Sequence, residues 1–269
     1  MIVSSRNGAL QLIRQTDHAA LAGHLAQHWG RPPFDRLEPL EAVVIAAAQH
    51  DNGWTEWDNR PKINPATHQP YQFWELPVEE HLTFYFRGVE GVIDLDRYAG
   101  LLVSMHCSGL YNGRFGTDPS LMVRQFTPAM QRTIDDFLGR LETQRGRLRE
   151  QLREMGTPES WLEEGRIWKN YKLLQIFDRL SLYLCLPPLA QRTLGPAPTA
   201  EGKDVELALQ PRGQNKIHIS PYPFDVDPLE VTVHSRAILK TVYVSDEQFR
   251  EVLARAEVTT LTFELTGPV

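Results

Sequence analysis

A chain of 269 residues, 42% hydrophobic and 23% charged, has the composition of an ordinary globular protein and enough length to bury a full core. A net charge of −6 and a pI near 5.9 leave no basic footprint, which argues against duplex nucleic acid as the main partner. The two cysteines, Cys107 and Cys185, lack CxxC spacing and so indicate neither a disulfide framework nor a thiolate zinc site.

The first eight residues hold no long apolar core of a signal peptide, and no apolar run reaches the length of a membrane span, so a cytoplasmic protein without membrane contact is expected. Residues 1–15 alternate around Asn7-Gly8, the pattern of a β-hairpin. Thr16 or Asp17 then caps a helix that runs to Trp29 and closes at Gly30, ahead of Pro32 and Pro33. His18 shares a face with Leu21, Ala22 and Leu25 and should point inward. The next helix opens at Pro39 and ends at His50-Asp51, where Asn52-Gly53 is a stop signal. Its Ala46, Ala47 and Ala48 let neighbouring helices come close. Residues 52–76 show no clear periodicity but carry Trp54, Trp57, Tyr71, Phe73 and Trp74, which suits a lid or pocket wall.

Two further helices are predicted over 77–87, carrying His81, and 94–107, carrying His106. Thr127-Pro128 opens a long amphipathic helix with Ile134, Leu141 and Leu148 at heptad spacing, which reads as structural. Thr157-Pro158 opens another that continues to Leu186 and holds Asp178 among apolar residues. A carboxylate so buried needs a cation or a hydrogen-bond network facing it. Residues 190–203, with Gly195-Pro196-Ala197-Pro198, read as a linker. Beyond it come strands over 205–209, 216–220, 231–234 and 260–265, with one helix over 246–255. The expected architecture is therefore mainly α: a helical metal-binding domain over 1–189, a linker, and a small α+β module over 204–269, whose sheet the N-terminal hairpin could extend.

The chemistry-bearing residues, in order, are His18, His50-Asp51, His81, His106 and Asp178, spread over five predicted helices. This nitrogen and oxygen donor set suits Mn, Fe, Ni, Co, Mg or Zn without choosing among them. The order His, His-Asp, Asp resembles the HD-domain superfamily of metal-dependent phosphohydrolases, and the intervening His81 and His106 resemble its two-metal members. Thr16-Asp17-His18, His50-Asp51-Asn52-Gly53-Trp54, Gln69-Pro70-Tyr71-Gln72-Phe73 and Leu101-Leu102-Val103-Ser104-Met105-His106 are similar to a bacterial family of HD-like proteins of unknown function.

The resemblance implies an HD-type helical bundle holding two divalent metals. Asp51 would bridge them, His18, His50 and Asp178 completing one site and His81 and His106 the other. A metal-activated hydroxide would then attack the phosphorus of a phosphoester or phosphoanhydride in a small phosphorylated molecule or nucleotide. Asp51 and Lys172 are the expected catalytic residues, with Trp54, Arg114, Lys169, Lys172 and Arg179 at the substrate; Arg124 is a further candidate cation. Inositol-oxygenase-like di-iron enzymes share the same ligand order, so oxygenase chemistry is one alternative. A non-catalytic metal-binding regulatory protein is another, and with any of these the chain could form an oligomer. The remaining histidines have plainer readings: His24 and His28 form a surface pair, and His68, His218 and His234 sit in turns or strands.

Overall fold

A computed structural model describes residues 1–6, 8–118 and 126–268. The chain opens with β1 (Ile2–Arg6) and β2 (Ala9–Ile13), then α1 (Gln15–Gln27) and α2 (Leu40–Gln49). A short α3 (Thr55–Asn59), a two-residue ribbon of β3 (Ile63–Asn64) and β4 (Gln69–Pro70), and the paired helices α4 (Val78–Leu95) and α5 (Arg97–Gly109) follow. Next come α6 (Pro128–Glu154), α7 (Glu159–Leu162) and α8 (Glu164–Cys185). The remainder is β5 (Arg192–Pro198), β6 (Asp204–Pro211), β7 (Lys216–Ser220), β8 (Leu229–Leu239), α9 (Asp246–Arg255) and β9 (Val258–Thr266).

The expectation of a mainly α protein is corrected here. The fold is mixed α/β, 51% helical and 21% strand, with a seven-stranded sheet curled into a half-barrel. Its strand order is β1-β2-β8-β9-β7-β6-β5, so both ends of the chain meet in one sheet. The N-terminal hairpin enters through β2, whose Leu10 pairs with Ile238 of β8. The longest ladder joins β8 to β9, with Val231 opposite Phe263 and Val233 opposite Leu261. Leu229, Val231, Val233 and Ser235 are buried while Glu230, Thr232 and His234 between them are exposed, the period of two that a sheet with one covered face requires.

Residues 192–198, expected within a linker, form β5. Leu194 and Ala197 bury on the sheet, and a register shift between them takes up Gly195-Pro196. Because β5 is an edge strand, a proline without an N–H is tolerated there. The predicted single helix from Pro158 breaks at Glu163, whose extended backbone separates α7 from α8.

One main core runs from Ile2 to Leu265 and contains residues of α1, α2, α4, α5, α6, α8 and the sheet. A smaller core of Leu10, Leu12, Ile238, Tyr243, Phe249 and Leu253 seals α9 against the opposite face of the hairpin. In the main core α1 and α2 pack so tightly that a Cβ on Gly23 would stand 2.5 Å from Cβ of Ala48. Small residues at that crossing bring the ends of the helices together and so position the site.

Candidate metal centre

Four elements deliver the converging side chains. His18 comes from the first turn of α1, His50 and Asp51 from the end of α2, His106 from the last turn of α5, and Asp178 from the middle of α8. On an uninterrupted helix His50 and Asp51 would diverge by about 100°. Asp51 instead leaves helical geometry, at φ −113° and ψ 21°, and both side chains reach the same point. All five residues are buried.

Nε2 of His18 lies 3.0 Å from Oδ2 of Asp51. Nε2 of His50 lies 3.7 Å from the same oxygen and 3.6 Å from Oδ1 of Asp178. His106 approaches Oδ1 of Asp51 to 3.9 Å and Oδ2 of Asp178 to 4.0 Å. Two sets of ligand atoms, His18/His50/Asp51 and His50/His106/Asp178, each lie within 4.8 Å of one another, a spacing that could hold a metal ion.

The hydrogen bonds behind these rings fix which nitrogen faces inward. Nδ1 of His50 is 2.8 Å from the Ala47 carbonyl, which only accepts, so Nδ1 carries the proton and Nε2 of the neutral ring presents its lone pair. The Ser181 hydroxyl donates to the Asp178 carbonyl and therefore accepts from Nδ1 of His18 at 2.8 Å. Two lone pairs thus point at two carboxylates, an arrangement that repels itself unless a cation sits among them. Nε2 of His50 and Nε2 of His106 have no hydrogen-bond partner among the described residues.

Protons answer part of this demand. Burial, the largest influence on His50, opposes its charge, but Asp51 and Asp178 outweigh burial and raise it to about 9. Burial raises Asp51 too, yet His50, His18 and His106 hold it at about 2. Burial and the neighbouring His50 lower His106 to about 3. For Asp178, burial is overcome by Arg114 and His50, which keep its carboxyl well below the usual range.

A cavity of about 410 Å³ opens over the centre, lined by Asp51, His106, Asp178, Arg114, His81 and a largely aromatic wall that includes Phe73, Trp74, Tyr85 and Tyr111. Arg114 donates from Nη2 to Oδ2 of Asp178 at 2.9 Å. His81 lines the cavity but belongs to neither ligand set. Its Nδ1 meets the Tyr111 hydroxyl, and Tyr85 stands between it and Asp51.

Several expected substrate residues are placed elsewhere. Trp54 is fully buried, does not line the cavity, and donates from Nε1 to the Tyr85 hydroxyl at 3.2 Å. Lys169 pairs with Asp35 at 2.6 Å and Lys172 with Asp204 at 2.5 Å, on a side of α8 that does not line the cavity. Arg179 donates to the Gly195 carbonyl at 2.7 Å. The three departures on α8 share a cause: helical residues one, six and nine positions from Asp178 do not lie on its face. Arg124 lies outside the described residues. His28 of the surface pair meets Asp225 at 2.9 Å.

Tyr85 and Ser181 were not singled out by the sequence, though a signal existed. Tyr85 stands four residues after His81, and Ser181 three after Asp178, the spacings that share a helix face.

Fold and site together define a mixed α/β protein with a buried His/Asp centre able to hold a metal. The chain belongs to the family described as "Protein of unknown function (DUF3891)", whose profile matches residues 1–240. No curated protein matches the chain, and no solved structure matches it. The resemblance to the HD-domain superfamily is accordingly corrected: the family that matches is one of unknown function, and the seven-stranded curled sheet is not part of an HD helical bundle. The resemblance rested on ligand order, and a short order of His and Asp residues can arise on more than one framework. Among the described residues no helix is long and apolar enough to cross a membrane.

Proposed function

We propose that this chain holds one divalent transition metal through His18, His50, Asp51, His106 and Asp178, and uses it to hydrolyse a phosphoester or phosphoanhydride bond in a small phosphorylated molecule or nucleotide. The observation that carries the reading is that Nε2 of His18 and Nε2 of His50, each ring being held through Nδ1 by a hydrogen bond behind it, both face two buried carboxylates. One ion accounts for the centre better than two, because both ligand sets use His50, whose single inward lone pair serves one cation.

A bound divalent ion supplies Lewis acidity and makes water a nucleophile at neutral pH. The protein's own groups do the remainder. Ser181 and the Ala47 carbonyl hold His18 and His50 in the tautomers that present Nε2. The Tyr85 hydroxyl donates to Oδ1 of Asp51 at 3.0 Å and fixes that carboxylate's plane. Arg114, on the cavity wall beside Asp178, offers a guanidinium to the oxygens of an anionic substrate.

The test is metal content by elemental analysis of the wild type, His50→Ala and Asp178→Ala, with phosphate release from mono- and diester substrates under Mn, Mg, Ni and Fe. Close to one metal per chain in the wild type, loss of it in both variants, and metal-dependent phosphate release are expected. Wild-type metal content in both variants would falsify the ligand assignment. Bound iron with oxygen consumption and no phosphate release would put an oxygenase in place of the hydrolase.

A further inference from the structure

We infer that the substrate is a phosphomonoester carried on a flat aromatic ring, its phosphate held by Arg114 and its ring by the aromatic wall around Trp74. The inference rests on the hydrolase reading above and narrows it to a substrate class.

Three observations point to it. The first is the turn that delivers Arg114. Gly113, Arg114, Phe115 and Gly116 have φ of 63°, 53°, 56° and 85°, four successive residues in the left-handed region. Glycine adopts that region freely, whereas Arg114 and Phe115 carry side chains that oppose it. The conformation is over-determined by its surroundings. The Phe115 N–H donates to Oδ1 of Asn112 at 2.8 Å, Thr117 donates from Oγ1 to the Arg114 carbonyl at 2.8 Å, and the Phe115 ring packs edge-on against Tyr171 at 5.3 Å. Such strain persists where it places a functional group, and here the group placed is a guanidinium beside the metal centre.

The second is how incompletely that guanidinium is used. Arg114 is 4% exposed, and only Nη2 is paired; Nε and Nη1 have no partner among the described residues. A buried Arg fork with one arm on a carboxylate has capacity left for another anion. Charge agrees with this. Asp51 and Asp178 set against a dication and Arg114 leave a positive balance on the cavity floor, which suits a phosphate.

The third is the rest of the cavity. Above the charged floor its walls are mostly apolar, with Phe73, Trp74, Tyr111, Phe126, Leu110 and Leu182, and only Gln15 and Gln131 add amides. Trp74, 50% exposed, stands at the mouth. At about 410 Å³ the space holds a small molecule, and its faces favour an aromatic body over a hydroxyl-rich one. In the reaction water attacks phosphorus, the bond to the aryl oxygen breaks, and inorganic phosphate and a phenol leave.

Binding can be read without turnover by using phosphonates, whose carbon–phosphorus bond resists hydrolysis. The full chain with added Mn would be titrated calorimetrically with phenylphosphonate and with methylphosphonate, as wild type, Arg114→Gln and Trp74→Ala. The expected result is phenylphosphonate binding at least about tenfold tighter than methylphosphonate in the wild type, a difference one aromatic contact supplies. Arg114→Gln should weaken both by at least about tenfold, and Trp74→Ala should shrink the preference for the ring. Equal wild-type affinities, or unchanged binding in a folded Arg114→Gln, would overturn the inference; if Arg114→Gln does not fold, the wild-type ratio and Trp74→Ala decide. Failure of the two readings is separable. Tight ring-selective binding with no phosphate release from phenyl phosphate removes the hydrolase and keeps the site, whereas equal release from phenyl and methyl phosphate does the reverse.

Discussion

The hydroxyl of Tyr85 donates to Oδ1 of Asp51 at 3.0 Å, and through that bond the wall of the cavity holds one of the two carboxylates of the centre. Tyr85 is itself held by Nε1 of Trp54, so a fully buried indole, a phenol and a carboxylate form one chain. Tyr85→Phe removes the bond to Asp51 while keeping the ring's packing. Supporting hydrogen bonds of this kind are worth about 10–100-fold in metal affinity. The variant should therefore fold normally by circular dichroism and release metal to a competing chelator at least about tenfold more readily. Unchanged metal affinity would reduce Tyr85 to a packing residue.

Filling the centre should stabilise the fold, since the ligands come from four elements distant in sequence and meet only when the chain is folded. Ligand at 100 times its Kd adds about 2.7 kcal/mol, which for a chain of this size is a rise of roughly 5–10 °C in Tm. Thermal scans of chelator-treated protein with and without added Mn or Zn check this. The increment should vanish in Asp178→Ala.

In the metal-free protein the histidines predict a stability maximum near neutral pH. Burial opposes charge on His50, but Asp51 and Asp178 raise it to about 9, so the folded state holds a proton that the unfolded chain, at 6.5, has lost. That contribution is complete below 6.5 and disappears as pH rises through about 9. His106 has the opposite sign. Burial and His50 lower it to about 3, so between 6.5 and 3 the unfolded chain takes up a proton that the folded state refuses, and stability falls with falling pH. Burial notwithstanding, His50 and its neighbours hold Asp51 at about 2, so its contribution is present above the unfolded value and is lost as pH falls toward 2. Urea midpoints across pH 4–10 should therefore trace a bell; a monotonic profile would contradict these assignments. Metal should also displace about one proton, the one on His50, seen as a buffer-dependent binding enthalpy at pH 7.

The turn after Asp51 depends on a close approach of backbones. A Cβ on Gly53 would stand 2.1 Å from the Phe84 carbonyl oxygen and 2.8 Å from its carbon, both main-chain atoms of α4 that cannot swing aside. Gly53→Ala should cost about 2 kcal/mol or more in urea unfolding, as overpacking of a rigid contact does. A loss below about 0.5 kcal/mol would mean that α4 yields at this point.

Much of the centre was legible in the sequence because its ligands sit on helices whose apolar periodicity orients them. His18 follows the inward face of α1, and Asp178 lies where α8 is buried on most sides. The helices themselves announce their starts and stops through Pro39, Asn52-Gly53 and Thr127-Pro128. What periodicity does not carry is partnership between distant segments. Residues 2–13 and 192–266 each read as strands or linker, and only folding joins them into seven strands in one sheet. That joining turned an expected helical bundle with an appendage into a mixed α/β fold around a single main core.

The same limit separates His81 and Lys172 from the centre. Ligand order placed His81 there, and a shared helix with Asp178 placed Lys172; the structure sets Tyr85 between His81 and Asp51, and turns Lys172 to Asp204. Arg114, expected at the substrate, lines the cavity, but its pairing with Asp178 at 2.9 Å depends on four left-handed residues that its sequence neighbours do not announce. The sequence by itself determined which side chains are buried and which chemistry they offer, because burial follows local periodicity. Which of them meet was decided by the tertiary structure alone, because a contact between residues far apart in the chain depends on how whole elements pack.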